Sequence, residues 1–310
     1  MPVAHVPVLL DRVVEGLAPV GAGWLLDATV GLGGHAAALL EAVPRLRLLG
    51  VDRDPRALDQ ARRRLAEFGD RVRLECAPFA EVRKLLDLLP EPPAAVLADF
   101  GCSSLQLDDP DRGFSFRADG PLDMRMGADG RTAGELLAEA DEEELVRILR
   151  DYGEERRARA IVRAIVRRRD VRPFRRTSEV ADLVRQVVGR RAGDRIDPAT
   201  RTFQALRIAV NDELGQIEAF VEPAVRALRP AGRAAFISFH SLEDRIVKHG
   251  LRRLEGRCVC PSGLPECRCR PERVARPIGR GVVRPDDDEV DRNPRARSAR
   301  LRVVERLAEG

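Results

Sequence analysis

The chain reads as an α/β protein, a mostly parallel sheet interrupted after its fourth strand by a helical insertion. Three observations carry that reading. Apolar runs of strand length alternate with helical stretches between Trp24 and Asp99, the rhythm of a parallel sheet with crossover helices. Three of those runs end in an acid, at Asp27, Asp52 and Asp99. After Asp99 the rhythm breaks, and residues 107–200 hold no strong strand before an apolar run resumes at Arg233.

Taken in order, residues 8–17 read as a short amphipathic lead-in helix. Residues 24–28 make the first buried strand, and the turn Gly31-Leu32-Gly33-Gly34 opens a helix over 34–43. A second strand covers 46–52, after which Asp54 as cap and Pro55 in the first turn start a helix to about Phe68. Strand 72–76, helix 79–89 and strand 94–99 complete the first half. The insertion shows helical stretches at 132–151 and 154–169, and residues 202–228 read as one long helix bent or broken near Pro223. A fifth strand at 233–238 and a helix at 241–254 follow, then a cysteine-rich loop, an acidic linker over 284–289 and a closing strand at 299–304. The expected domains are 1–106 and 201–310 for the sheet and 107–200 for the insertion.

A hydrophobic fraction of 44% supports an ordinary core, and no apolar run approaches a membrane span. The start Met1-Pro2-Val3-Ala4-His5 lacks a secretory signal's basic and apolar regions, so the expected location is cytoplasmic. Six cysteines in 310 residues do not suggest a disulfide scaffold. The net charge is only +4, but residues 151–211 hold 16 arginines against 8 acids, an excess of 8. A local excess of that kind suits a phosphate backbone, and a solvated face of mixed charge explains it equally well.

In an open α/β sheet, ligands bind beyond the carboxyl ends of the strands. Any one terminal acid could be only a helix cap, but three beside a glycine-rich turn favour a ligand. Asp52 lies 18 residues past Gly34, where a carboxylate accepts hydrogen bonds from both ribose hydroxyls. That suits NAD and S-adenosylmethionine alike. Asp27 separates them, because an acid at the head of the loop repels a pyrophosphate and attracts a methionine ammonium. The loop is also G-x-G-G and lacks the dinucleotide fingerprint. The cofactor expected is therefore S-adenosylmethionine. Phe79, just after the third strand, can stack near an adenine or serve as a core aromatic. Asp99 heads the loop Asp99-Phe100-Gly101-Cys102-Ser103-Ser104-Leu105-Gln106. A carboxylate there can accept the N–H of an exocyclic amine as positive charge develops on it, or it can orient the cofactor. Covalent attack by Cys102 ranks lower, because no neighbour in the sequence activates the thiol.

Several stretches together are similar to the bacterial 16S ribosomal RNA cytosine-N4 methyltransferase family. They include His5-Val6-Pro7-Val8-Leu9-Leu10, Gly31-Leu32-Gly33-Gly34-His35 and Asp99-Phe100-Gly101-Cys102-Ser103-Ser104. Arg112-Gly113-Phe114-Ser115-Phe116, Pro121-Leu122-Asp123-Met124-Arg125-Met126 and Tyr152-Gly153-Glu154-Glu155 follow. Then come residues 200–211, Ser238-Phe239-His240-Ser241-Leu242-Glu243-Asp244-Arg245 and Asn293-Pro294-Arg295-Ala296-Arg297-Ser298. The resemblance implies a class I methyltransferase, Rossmann-like sheet with a helical domain inserted after the fourth strand. It implies N4-methylation of a decoding-region cytidine in 16S rRNA or the small ribosomal subunit. It carries the cofactor contacts to Gly33, Gly34, His35, Asp52, Phe79, Asp99 and Gln106. Phe100 and Cys102 depart from the family's pattern, and the second lowers the covalent reading further.

His240 follows the fifth strand, where it can contact the base, accept a proton late in the reaction, or hold structure. Phe114, Phe116 and residues 121–126 can wall a flipped base or pack the insertion. The pairs Cys258-x-Cys260 and Cys267-x-Cys269 can make a tetrahedral zinc site, with reduced surface thiols as the plain alternative. No metal ligand is assigned at this stage. Two rivals to the enzyme remain: a non-catalytic RNA-binding assembly factor on the same fold, and a nicotinamide dehydrogenase.

Overall fold

A computed structural model describes residues 7–308 apart from 190–196, 261–263, 265, 267, 270 and 280. His5, Val6 and Cys267, which figure in the motifs above, lie outside the described residues. The chain forms two compact units, one of residues 1–101 with 214–310 and one of residues 102–213.

In the first unit, α1 (Leu10–Leu17) leads into β1 (Gly23–Asp27), α2 (Gly34–Ala42) and β2 (Leu46–Asp52). Next come α3 (Pro55–Arg64), β3 (Val72–Cys76), α4 (Val82–Asp87) and β4 (Ala95–Asp99). The starts of these helices follow local chemistry. Asp54 accepts the Arg56 backbone N–H at 3.0 Å to cap α3, with Pro55 at the first position. α2 has no side-chain cap and instead turns in through Gly33 at φ 77°, a conformation glycine adopts without Cβ strain.

The second unit is helical: α5 (Ser104–Asp108), α6 (Ala133–Glu139), α7 (Glu142–Asp151), α8 (Ala158–Arg169), α9 (Thr177–Val188) and α10 (Ala199–Asn211). The stretch expected as one helix over 132–151 is two. Ala140 is extended at ψ 141°, and Asp141 caps α7 by accepting the Glu144 N–H at 2.7 Å. Leu136, Leu149, Ile161, Val180, Phe203 and Leu206 are members of the unit's own core.

The chain continues through α11 (Glu213–Ala227), β5 (Arg233–Ser238), α12 (Ser241–Leu254), β6 (Ala275–Pro277), α13 (Asp287–Arg292) and β7 (Arg300–Arg306). The long helix expected over 202–228 breaks at Asp212, not at Pro223, which sits inside α11. Asp212 is left-handed at φ 48°, a state aspartate tolerates better than most residues. The side chain just before the break is fully used: Asn211 Nδ2 donates to the carbonyls of Met124 (2.8 Å) and Arg207 (2.9 Å). α10 therefore belongs with the inserted unit. Residues 284–289 are not simply a linker, because Asp286 caps α13 and three acids favour its first turn.

The sheet order is β3-β2-β1-β4-β5-β7-β6, with β1 to β5 parallel and β7 antiparallel to β5 and β6. That is the class I methyltransferase sheet. Alternating strand residues feed two cores. Leu25, Leu48, Leu97 and Ile237 face one side, and Leu26, Leu49, Val96 and Phe236 face the other. Both faces are covered, so the strands read as unbroken apolar runs and the polar chemistry gathers at their ends.

Candidate active site

The carboxyl ends of β1, β2 and β4 carry Asp27, Asp52 and Asp99. Backbone links lock these ends together. The Thr29 hydroxyl accepts the Asp99 N–H at 2.6 Å, tying β4 to the turn after β1. Asp52 Oδ2 accepts the Gly31 N–H at 3.0 Å and its Oδ1 the Asp54 N–H at 2.8 Å. The acid at the end of β2 thus holds the glycine turn in place.

Within that turn, Gly31 (φ 52°) and Gly33 (φ 77°) are left-handed. A Cβ on Gly34 would overlap the Pro7 ring. His35 lies in the first turn of α2 and is buried. Its Nε2 is 2.9 Å from the Val8 carbonyl; a carbonyl only accepts, so Nε2 carries the proton. The ring's other nitrogen, Nδ1, then faces Asp99 Oδ2 at 3.8 Å. His35 is a brace between the chain before α1 and the acid of β4.

The electrostatics are those of acids short of cations. Burial pushes the Asp27 carboxyl up to about 7, against the Thr29 N–H that favours its charge, and Asp52 adds a smaller push. Burial also lifts Asp52 to about 6, opposed by the N–H groups of Asp54 and Gly31. Asp99 is raised well above the usual carboxylate range, first by burial and then by Asp27 and Glu243. Its Oδ1 is buried and has no hydrogen-bond partner among the described residues. An orphaned buried carboxylate oxygen is costly, and a cationic ligand that also donates a hydrogen bond resolves it. S-adenosylmethionine, with its ammonium and sulfonium, fits that donor set.

Phe79 is half-buried and packed edge-on to Phe220 (centroids 5.4 Å apart) and tilted against Phe100 (5.6 Å). It is joined to the core, as the plainer reading had it, while staying partly exposed. His240 caps α12: its Nδ1 lies 3.4 Å from the Glu243 N–H, and its Nε2 lies 3.0 Å from Glu243 Oε1. Nδ1 accepts the cap bond, and Nε2, though close to the carboxylate, has no hydrogen-bond partner among the described residues. The bond through Nδ1 is the structural role weighed beside the catalytic one. Glu243, fully buried, accepts the N–H groups of Phe239 (2.7 Å) and His240 (3.2 Å). Glu243 and Thr29 were missed as site residues. Glu243 stands three residues after His240, the spacing of a capping box, but spacing gives no hint that it also charges the surroundings of Asp99.

The remaining sequence candidates lie in the inserted unit. Gln106, buried, closes the capping box of α5: its Oε1 accepts the Ser103 N–H at 3.0 Å. Cys102 does have a charged neighbour, since Arg207 Nη1 is 3.0 Å from its sulfur. The same guanidinium is held by Glu213 at 2.8 and 2.9 Å. Of the expected base wall, Phe114, Leu122, Met124 and Met126 are buried, Leu122 and Met124 in the unit's own core. Phe116 is half-buried, edge-on to Phe203 at 4.8 Å. Much of the arginine excess is spent internally, as in Arg185 with Asp197 at 2.9 Å and Arg176 with Asp119 at 2.6 Å. Arg159, Arg163 and Arg167 recur every four residues on α8 and are exposed.

Among the described residues no helix is long and apolar enough to cross a membrane. A family model described as the MraW methylase family matches residues 2–307. A ribosomal RNA small subunit methyltransferase H from Anaeromyxobacter dehalogenans is 49% identical over 307 residues, covering 98% of both chains. Those of Geobacter sulfurreducens (49%, 99% of this chain and 100% of that one) and Heliobacterium modesticaldum (47%, 98% of each) are similarly close. A solved rRNA methylase from Streptococcus thermophilus aligns at a TM-score of 0.43 and 12% identity, covering 96% of this chain and 94% of that one. A likeness so distant carries no weight beside the strand order.

Proposed function

The chain belongs to the MraW methylase family, and we infer from that membership and the acid-lined strand ends that it is an S-adenosylmethionine-dependent methyltransferase of small-subunit ribosomal RNA. The target is N4 of a cytidine in the decoding region of 16S rRNA, and the work is done in the cytoplasm. The observation that carries this reading is the buried Asp99 oxygen without a partner, set among acids raised by their own burial. RNA binding alone has no use for such a cleft. A pyrophosphate would be repelled by it, which sets aside the nicotinamide reading.

Asp52 holds the ribose hydroxyls with the lone pairs left beside its bonds to Gly31 and Asp54. Asp27 faces the ammonium, and the Gly33-Gly34-His35 turn closes on the cofactor. Phe79 offers its exposed edge to the adenine, and Gln106 is assigned a contact by family resemblance. S-adenosylmethionine supplies an electrophilic methyl on a sulfonium. The cytosine amine is a poor nucleophile because its lone pair is conjugated with the ring. Asp99 accepts its N–H, which favours the reactive geometry, and then takes the proton that the methylated nitrogen must shed. A carboxylate raised by burial, Asp27 and Glu243 is a better proton acceptor than an ordinary one. His240 keeps Glu243 and the end of β5 in place.

The exposed arginines of α8 are assigned to phosphate contacts. The test is methyl transfer from labelled cofactor to small subunits lacking the modification, followed by nucleoside analysis. Label in N4-methylcytidine is expected. Label at cytosine C5 or on protein, or no binding of the cofactor by calorimetry, would overturn the assignment. Replacing Arg159, Arg163 and Arg167 together by Gln should shallow the salt dependence of subunit binding by about two to three in log–log slope and leave cofactor affinity unchanged; an unaltered slope removes α8 from the RNA surface.

A further inference from the structure

The loop between α12 and β6 is poor in apolar side chains. Its aliphatic side chains over residues 256–272, prolines aside, are Val259 and Leu264, and Leu264 is exposed. The stem is defined: Val274 N–H donates to the Leu254 carbonyl at 2.7 Å and Glu272 N–H to that of Arg253 at 3.0 Å. Inside it, the sulfurs of Cys258, Cys260 and Cys269 come within 4.8 Å of one another.

Two features give that cluster a meaning beyond proximity. The Cys258 and Cys269 sulfurs are 3.7 Å apart. A disulfide needs about 2.05 Å, whereas two sulfurs on a tetrahedral zinc at about 2.3 Å each stand ~3.8 Å apart. Backbone N–H groups also point at the sulfurs: Val259 to Cys269 (3.4 Å), Cys260 to Cys258 (3.4 Å) and Arg268 to Cys260 (3.3 Å). A zinc-bound sulfur is a good acceptor for such donors, whereas a thiol is a weak one. Arg257 and Arg268 flank the cysteines in sequence.

We propose that Cys258, Cys260 and Cys269 ligate a structural zinc ion. Each thiol loses its proton on binding and each sulfur donates a lone pair, with no change of oxidation state. The ion closes the loop in place of an apolar core and fixes the strand that enters the sheet edge at Ala275. Cys267 lies outside the described residues, and the proposal stands on the other three. This site is separate from the acid cluster and does not depend on the function assigned above.

The experiment is elemental analysis of the full-length chain, produced with zinc in the medium and purified without chelator. About one zinc per chain is expected, falling to background in Cys258→Ser and in Cys269→Ser. Those variants could lose the fold, so a second measurement uses the unaltered chain. Replacing the zinc by Co²⁺ should give a sulfur-to-cobalt charge-transfer band together with the strong visible bands of a tetrahedral ion. Zinc well below one equivalent combined with no such bands overturns the proposal. So does an intact mass lower by two hydrogens with Cys258 and Cys269 linked, since a disulfide at that pair excludes the site.

Discussion

Carboxylates of the inserted unit and those at the ends of β1, β2 and β4 are pushed in opposite directions, although elsewhere in the sheet unit, against burial, arginines hold Asp244 and Glu305 down. In the inserted unit, hydrogen bonds from Ser178, then Arg176, bring exposed Asp119 down to about 2. Burial works against Asp123, yet Arg125 outweighs it and holds that carboxyl below its usual range. Glu179 is lowered, chiefly by the Arg175 N–H. At the strand ends of the sheet unit, Asp27, Asp52 and Asp99 are all raised, and burial is the leading cause each time. These carboxylates of the inserted unit are spent on its own fold. Those of the sheet's edge are left uncompensated at a cost to stability, a signature of groups kept for a ligand.

The largest break in that contrast should come from Asp99. Asp99→Asn keeps the shape and removes the proton acceptor. Single-turnover methyl transfer should fall by ~10²-fold or more, with a much smaller change in cofactor affinity. A variant that transfers methyl at the full rate would show that the raised basicity of Asp99 has no part in the chemistry.

Asp27 separates binding from stability. Its carboxyl titrates at about 7 in the folded chain against 3.8 for the ordinary group. Between those values the folded chain keeps a proton that the unfolded chain has lost. Its contribution to stability is therefore greatest at low pH and declines as pH rises toward 7. A cationic ligand favours the ionised form, so S-adenosylmethionine binding should release protons and tighten between pH 5.5 and 8. Calorimetry in buffers of different ionisation enthalpy reads that release. Asp27→Asn should flatten the pH dependence, weaken binding by ~10-fold or more and raise the melting temperature of the cofactor-free chain at pH 8. An undiminished pH slope in the variant would assign the titration to another group.

The sheet, its strand ends and the glycine turn were legible in the sequence because each is a local pattern: apolar runs, terminal acids, a G-x-G-G turn. The break at Asp212 was not, because Pro223 is the louder signal and the use of Asn211 by Met124, Met126 and Arg207 depends on the tertiary fold. The His35 contact with Asp99 spans 64 residues of sequence. Nor could sequence show that a buried Glu243 stands near Asp99, since its spacing from His240 marks only a helix cap. The Arg207 contact with Cys102 joins residues far apart in the chain, so the thiol looked isolated until the fold was known.

The smallest expected effect sharpens the contrast from the other side. Asp119→Asn makes the same chemical change as Asp27→Asn, in a residue whose charge is already matched. It weakens the ion pair with Arg176 and the bond to the Ser178 N–H. An exposed pair of this kind is well screened and contributes little, so thermal unfolding should move down by a few degrees at most. Cofactor affinity and its pH slope should stay as they are. The low titration point fixes the direction with pH: the stabilisation is present above the ordinary carboxylate range and is lost as pH falls toward 2. Unaltered and Asp119→Asn chains should therefore converge in stability under acid and diverge toward neutrality, whereas the Asp27 pair should diverge the other way, with the variant the more stable at pH 8. Should both substitutions shift stability in the same direction at pH 8, the two sets of acids would not differ in the way their surroundings imply.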